Sequence, residues 1–328
     1  MPVDFLTGEQ QRRYGRYAGE PSLAQLERYF HLNDKDRGLI ARCRGDHTRL
    51  GFAVQLGTVR FLGTFLTDPS EVPPGMVAYL ARQLGLADTG GLKRYATGVM
   101  RRDHVAEIRR RYGYRDFHEG SEPAALSRWL ANRAWVGAER PSVLFDLATA
   151  RLVERKVLLP GVTVLARLVA QVRDLAASRL WRTLARALKP QQAARLETLL
   201  VADEATRQSP LERLRRAPTR VSIAGLVEAL ERLREIRDLG VGSIELSAVP
   251  PVRVHALARY AVAARSQAIA RMSPPRRQAT LLAFAKVQEI TALDDVLDLL
   301  DQLVTTMLAR VEHTGQQHRL RSLKDLDA

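Results

Sequence analysis

Residues 101–117, RRDHVAEIRRRYGYRDF, combine side chains whose types and spacing could do chemistry. His104 and Glu107 are three positions apart, so on a helix they could offer a nitrogen and an oxygen to one metal ion. The same stretch holds six arginines and three aromatic residues, which suit contacts to phosphates and bases of a nucleic acid. A third interpretation is a solvated helix face, which is what most charged runs are.

Helical geometry separates these interpretations. At 100° per residue, Val105, Ile108 and Tyr112 form a stripe that should face the core, while Arg102 and Arg109 share one flank and Arg110 points to solvent. Glu107 precedes Arg111 by four positions, an order that stabilises a helix by ~0.2–0.5 kcal/mol. Since the sequence suggests no third ligand nearby, we predict no metal site and no cofactor, and we favour a basic contact surface with Tyr112 as a buttress.

A second set of residues, in LDDVLDLLD, resembles the carboxylates of a two-metal nuclease. Asp294, Asp298 and Asp301 share one helix face, but catalytic carboxylates normally converge from separate elements. We therefore interpret them as a solvated face. No phosphate-binding glycine loop, nucleophile elbow or CxxC pair is present either, and the sequence predicts a protein that is not an enzyme.

Charge is the most informative part of the composition. The 328 residues include 51 basic and 36 acidic side chains, a net charge of +15, which favours a polyanionic partner. Of the basic residues 45 are arginines, a bias that a GC-rich genome would also produce, although codon usage does not explain the sign of the net charge. The sequence has no apolar run long enough for a membrane span, no leader-like start and one cysteine, Cys43, so we predict a cytoplasmic protein without membrane contact.

The elements that must position these side chains are predicted to be helices throughout. Helical periodicity runs from end to end, so the fold class is all-α: two small helix-turn-helix-like tandem units followed by a larger multi-helix domain. The proline-rich run TDPSEVPPG at 67–75 separates the two small units. We predict four segments: 1–68, a first DNA-binding unit; 72–120, a second; 121–245, a linker or scaffold; and 246–328, a scaffold or dimerisation region. Three tryptophans, Trp129, Trp135 and Trp181, are expected in the core.

Helix starts are marked by a short polar residue followed three positions later by Gln or an acid. The pairs are Thr7 with Gln10, Ser22 with Gln25, and Asn33 with Asp36.

Basic residues cluster in both small units, which suits a long bipartite DNA site. The candidates for phosphate or base contact are led by Arg94, Arg102, Arg109 and Arg115. The full predicted DNA-binding set is Arg42, Arg44, Arg49, Lys93, Arg94, Arg101, Arg102, Arg109, Arg110, Tyr114 and Arg115.

Six phrases, in order, resemble the N-terminal part of the large replicative transposases of class II bacterial transposons, the TnpA family. They are LGFAVQLGTVRFLGTFL, VPPGMVAYLARQLGL, RRDHVAEIRRRYGYRDF, ERPSVLFDLATARLVERKVLLPG, RRQATLLAFA and SLKDLDA. The resemblance implies binding to double-stranded DNA at the terminal inverted repeats of a transposable element, in the bacterial cytoplasm and on the nucleoid.

The resemblance also implies what this chain should not do. Members of the family are much longer and carry a C-terminal catalytic domain with three acidic residues that use Mg²⁺. We expect that domain to lie outside this chain, and Asp294, Asp295 and Asp298 are not assigned to it. The alternative function is a helical protein that oligomerises, forming a homodimer, or that docks on and inhibits a full-length transposase.

Overall fold

A computed structural model describes residues 5–204 and 206–326, with side chains described as far as residue 316. Every regular element in these ranges is an α-helix, and the β pairing found there is one isolated bridge between Arg115 and Val157. The all-α prediction is confirmed. The parts of the predicted segments at residues 1–4, 205 and 327–328 lie outside the described residues.

The chain divides into two compact units. Unit 1 comprises the described residues up to Ala134 together with Glu139–Asp174, and unit 2 comprises Trp135–Ala138 and the described residues from Leu175 onward. Wholly or mainly in unit 1 are α1 (Gly8–Arg13), α2 (Leu23–Tyr29), α3 (Asp34–Ile40), α4 (Asp46–Leu62), α5 (Pro74–Leu84), α6 (Leu92–Thr97), α7 (Met100–Tyr112), α8 (Glu122–Val136) and α9 (Pro141–Glu154). The unit boundary falls within α10 (Val162–Arg186). Unit 2 contains α11 (Pro190–Thr198), α12 (Pro210–Leu214), α13 (Ile223–Asp238), α14 (Pro251–Ala263), α15 (Ser266–Ala270) and α16 (Pro274–Leu326).

Capping residues set the first three helices, as the sequence predicts. Thr7, Ser22 and Asn33 each accept a hydrogen bond from the backbone N–H three residues on, and the side chain there returns one. These reciprocal bonds satisfy N–H groups that a helix start leaves without partners.

Helix α4 is the centre of unit 1. All its residues from Leu50 to Val59 are buried, so it must be covered on every side. Two glycines let aromatic rings lie directly on its backbone: a Cβ on Gly51 would strike the ring of Tyr95, and one on Gly57 would strike the ring of Phe30. Phe30 follows α2 and Tyr95 lies in α6, so α4 receives partners from both sides of the proline-rich break.

This packing bears on the predicted division into segments. The predicted helix break is present, but it covers residues 63–73, and α5 begins inside the predicted run at Pro74. However, one hydrophobic cluster extends from Phe30 to Ile108 and joins α2–α7. The segments 1–68 and 72–120 therefore share a core, because α4 is too apolar to be covered by one of them. Whether the four segments are separate functional domains stays a prediction.

Unit 2 is built around the first half of α16. Residues 279–285 are fully buried, and α13, α14 and α11 pack around them. An arginine also lies in this core: Arg232 donates to the carbonyl of Leu214 at 2.9 Å, to Asp295 at 2.7 Å and to Gln288 at 2.5 Å. Each of its three guanidinium nitrogens thus donates a hydrogen bond, and such partners offset the cost of burying a cation.

The three tryptophans are not fully buried, although Trp135 and Trp181 pack against the core of unit 2 as expected. Each ring is half-buried and covered by a guanidinium: Arg151 lies 4.8 Å from the Trp129 ring centre, Arg179 lies 4.1 Å from that of Trp135, and Arg276 lies 4.9 Å from that of Trp181. The periodic pattern placed them among apolar neighbours but does not reveal which side faces solvent. In the part of the chain that the structure describes, no helix is long and apolar enough to span a membrane.

Candidate nucleic-acid interface

Two basic segments of unit 1 present cations that no described side chain neutralises. Arg42 and Arg44 lie in the turn between α3 and α4, and Lys93 and Arg94 lie in α6. All four side chains are exposed, and none forms an ion pair with a described residue. Such side chains are available to a polyanion without first losing an internal partner.

A glycine brings these two segments together. A Cβ built on Gly91, just before α6, would lie 2.8 Å from the Cβ of His47 and 3.4 Å from its Cα, in the first turn of α4. Only a residue without a side chain lets the backbones approach this closely. The α3–α4 turn therefore lies against the start of α6.

Behind the two segments lies a group of residues that we call the polar cluster: Cys43, Tyr95 and His104. The His104 ring lies 3.1 Å from the Tyr95 hydroxyl through Nδ1 and 3.7 Å from the Cys43 sulfur through Nε2. It also stacks on the Tyr95 ring and meets the Phe52 ring edge-on, with centroids 5.5 Å and 5.1 Å apart. The polar cluster thus joins the α3–α4 turn, α6 and α7, the three segments that carry Arg42, Arg94 and Arg102.

Burial keeps the polar cluster uncharged. It lowers the pKa of His104, an effect that Glu107 and Asp103 oppose only in part. Burial likewise raises the pKa of the Tyr95 hydroxyl and, with Glu107, that of the Cys43 thiol. A neutral imidazole offers one donor and one acceptor, which matches its two contacts. A protonated thiol is a poor nucleophile, so Cys43 is not suited to nucleophilic chemistry. The three residues are instead suited to hold the three segments in a fixed arrangement.

The prediction for His104 needs correction in one respect. The helix projection left it off the core stripe, yet it is buried beside the fully buried Ile108, whereas Val105 is only half-buried. Its two ring nitrogens face the Tyr95 hydroxyl and the Cys43 sulfur, so neither is directed at Glu107. Glu107 instead pairs with Arg111 at 3.8 Å, as predicted. Among the residues that the structure describes, no group of three or more His, Cys, Asp or Glu side chains is placed to hold a metal ion.

The C-terminal end of α7 is fixed by a buried carboxylate. Asp36 is fully buried and receives two hydrogen bonds from Arg60, at 2.8 and 3.0 Å, and one from the Tyr112 hydroxyl at 2.6 Å. Burial alone would raise the pKa of Asp36, but the bonds from Arg60 and Tyr112 lower it below its usual value. Tyr112 therefore ties α7 to α3 and α4.

Four of the predicted DNA-binding arginines already have partners in the protein. Arg49 lies 3.6 Å from Asp46, Arg109 lies 3.1 Å from Glu119, and Arg115 lies 2.7 Å from the buried Glu122. Arg101 donates to the carbonyl oxygen of Thr67.

The other predicted positions divide differently. Arg102 and Arg110 are exposed and form no ion pair with a described residue, whereas Tyr114 is half-buried against the core, and burial raises its pKa. The structure thus separates the set into six exposed unpaired cations, four engaged arginines and one core-facing tyrosine.

Sequence reasoning missed the residues that position the candidate surface. Tyr95, His104 and Cys43 are separated by 9 and 61 positions, so no local pattern links them. The sequence offers one kind of signal, the glycines Gly51 and Gly91. A glycine within or beside a helix can mark the close approach of another segment.

Comparisons with known proteins agree with this division of the chain. The family described as "Domain of unknown function (DUF4158)" matches residues 5–172, more than half of the sequence. The chain belongs to the DUF4158 family. The matched range closely follows unit 1, so the family's shared sequence corresponds to the unit with the polar cluster.

The DUF4158 chain is also similar to transposases. It is 47% identical to the transposase for transposon gamma-delta of Escherichia coli (strain K12) over all 328 residues, which is 33% of that relative. Similarity to the transposase for transposon Tn501 of Pseudomonas aeruginosa is 29% over 297 residues, covering 89% of this chain and 29% of the relative. The resemblance to class II transposases is confirmed, and the chain spans about a third of the length of these relatives.

Proposed function

We propose that unit 1 binds double-stranded DNA through a surface that we call the basic surface: Arg42, Arg44, Lys93, Arg94 and Arg102. The observation that carries the proposal is that these unpaired cations come from three segments joined at the polar cluster. Cations held on a fixed framework lose less conformational freedom on binding than cations on separate loops.

Exposed cations without an ion-pair partner suit DNA contact better than the four engaged arginines. An exposed arginine can meet a phosphate directly and release a counterion, whereas Arg115 would first have to leave the buried Glu122. Removing the partner of a buried charge is costly. Arg109 pairs with the exposed Glu119, and exposed pairs are weak, so Arg109 remains a second-rank candidate.

The DNA that we propose is the terminal inverted repeat of a transposable element, bound on the bacterial nucleoid in the cytoplasm. The support is that the similar proteins are named as transposases of transposons, the gamma-delta relative over the whole of this chain. We further propose that this chain contributes binding and not strand cleavage, so that Mg²⁺ is not needed for its activity. A helix-turn-helix contact by α5–α7 stays part of this proposal.

A binding titration tests the proposal. The full chain is titrated onto a duplex carrying the gamma-delta terminal inverted repeat and onto a scrambled duplex, with and without magnesium. We expect tighter binding to the repeat by at least about tenfold, and no cleaved product. Equal affinity for both duplexes would contradict recognition of the repeat.

Matched variants locate the surface. The double variant Arg42→Ala/Arg94→Ala should weaken binding by about tenfold or more, since each base-reading arginine contributes ~1–3 kcal/mol. Arg128→Ala is the control, because Arg128 is an exposed arginine of α8 in the same unit without an ion partner among the described residues. Loss of affinity in the control alone would move the surface elsewhere on unit 1.

A further inference from the structure

Helix α16 carries an exposed apolar stripe along its second half. Its members recur at alternating intervals of three and four residues and are between 37% and 71% exposed. They are Ile290, Leu293, Leu297, Leu300, Val304, Met307 and Val311. We call these seven residues the seam.

The spacing of the seam points to a helical partner. Seven apolar residues at an average spacing of 3.5 residues fill four a and three d positions of a heptad repeat, and such residues pack as knobs into the holes of a second helix. A different stripe of the same helix, formed by Ala292, Val296 and Leu299, is buried in the core of unit 2. The seam is therefore a separate second face of α16. Beyond Leu303 every described side chain of α16 is exposed, and a solvated helix gains nothing from an apolar stripe.

Charge beside the seam specifies the partner further. Asp294, Asp298, Asp301 and Glu312 follow one flank of the seam, all exposed. None of them forms an ion pair with a residue that the structure describes. Within a chain of net charge +15, this flank is an unneutralised acidic strip.

We propose that the seam binds an amphipathic α-helix that presents Leu, Ile, Val or Met in a matching heptad stripe and Lys or Arg along the flank facing Asp294 and Asp301. Each opposite-charge pair across such an interface sets partner choice and orientation. The proposal concerns unit 2 and does not depend on DNA binding by unit 1.

A second copy of this chain fits the seam less well. In an antiparallel pair the e positions face each other, which would bring the carboxylate of Asp301 against that of Asp294 or Asp301 in the other copy. In a parallel pair e faces g, so Asp294 would face Glu289 and Asp301 would face Val296 of the other copy. Neither arrangement neutralises the acidic flank, and like charges across an interface disfavour the wrong partner.

Two designed peptides test the proposal with the full chain. Each is about four heptads long with a Leu and Ile seam; one carries Lys and Arg at every e and g position, and the other carries Glu there. Like charges on its own flanks keep each peptide from pairing with itself. Fluorescence anisotropy of the labelled peptides gives their affinity for the chain at low and high salt, and light scattering gives the chain's own mass.

Three variants accompany the wild type. Leu297→Glu/Val304→Glu places charges in the seam, Asp294→Lys/Asp301→Lys reverses the flank, and Gln302→Glu changes an exposed position off the seam. All substituted side chains are exposed or partly exposed, and circular dichroism verifies that the helix content is kept.

We expect the basic peptide to bind at least tenfold tighter than the acidic one at low salt, and this preference to weaken at high salt. The seam variant should lose at least tenfold, the flank variant should reverse the preference, and Gln302→Glu should bind as the wild type does. Equal binding of both peptides, or binding of neither, overturns the proposal. A dimeric chain that the seam variant converts to monomer overturns it as well, because a second copy would then occupy the seam.

Discussion

Two groups of arginines, one in each unit, have opposite environments. In unit 1, Arg42, Arg44 and Arg94 extend into solvent without an ionic partner, above a framework held by uncharged contacts. In unit 2, Arg232 is coordinated inside the core, and Arg277 bonds Glu197 at 2.7 Å. A positive net charge therefore does not locate a DNA-binding surface by itself.

The segment charges make the same point. Residues 121–240, which include parts of both units, carry a net charge of +8, and residues 1–120, all in unit 1, carry only +5. Yet arginines outside unit 1 are often engaged: Arg213 forms two bonds of 2.8 Å with Glu235, and Arg276 covers Trp181. A recognition surface is distinguished by unpaired charge on a rigid base. Removal of an internal arginine and removal of an exposed arginine should therefore have different effects.

The largest effect should come from the internal arginine. Arg232→Ala leaves Asp295 and Gln288 without their buried donor and should lower the free energy of unfolding by ~3–5 kcal/mol. Urea unfolding followed by circular dichroism measures this loss. Arg234→Ala, two residues away and exposed, should change it by no more than ~0.5 kcal/mol. Similar losses in both variants would remove the distinction between structural and surface arginines.

A smaller effect is expected from the buried carboxylate of unit 1. Tyr112→Phe removes the hydroxyl that donates to Asp36 and should lower the free energy of unfolding by ~1.5–3 kcal/mol at neutral pH. Tyr29→Phe is the control, because no hydrogen bond of the Tyr29 hydroxyl to a described residue is found.

The same pair of proteins should respond differently to acid. Because the folded-state pKa of Asp36 is lowered, its stabilisation is complete above the ordinary aspartate pKa near ~4 and is lost as pH falls through the folded value. The difference between wild type and Tyr112→Phe should therefore shrink from neutral pH to about pH 3, as measured by urea unfolding at both values. A difference independent of pH would show that the hydroxyl acts through packing alone.

A single added methyl group tests how closely the Tyr95 ring packs on α4. Gly51→Ala forces its new methyl group into the Tyr95 ring and should lower the free energy of unfolding by ~1–3 kcal/mol. Gly38→Ala has no atom within 4 Å of the added carbon and should raise it by ~0.5–1 kcal/mol. Thermal unfolding of the two variants separates a packing clash from a general effect of helix propensity.

Much of the local structure could be predicted from the sequence. Capping pairs such as Thr7 with Gln10, the proline break at 67–75 and the Glu107–Arg111 pair depend on residues close together in the chain. The exposed face of Asp294, Asp298 and Asp301 follows from the same helical period.

What the sequence could not predict depends on distant partners. Helical periodicity does not place the polar His104 in the core, because its contacts Tyr95 and Cys43 belong to α6 and to the α3–α4 turn. Similarly, helical periodicity predicts neither the pairing of Arg115 with Glu122 nor that of Arg232 with Asp295. Which arginines remain free is decided only when the helices pack.

The salt dependence of DNA affinity tests most directly the claim that the two basic segments form one surface. The affinity of the full chain for the inverted-repeat duplex is measured across salt concentrations for wild type, Arg42→Ala/Arg44→Ala, Lys93→Ala/Arg94→Ala and the variant with all four changes. Each pair should lower the slope of log affinity against log salt by about 1–2, and all four together by about 2–4, because each phosphate contact contributes ~0.9. Slopes equal to that of the wild type in all three variants would show that DNA is bound elsewhere.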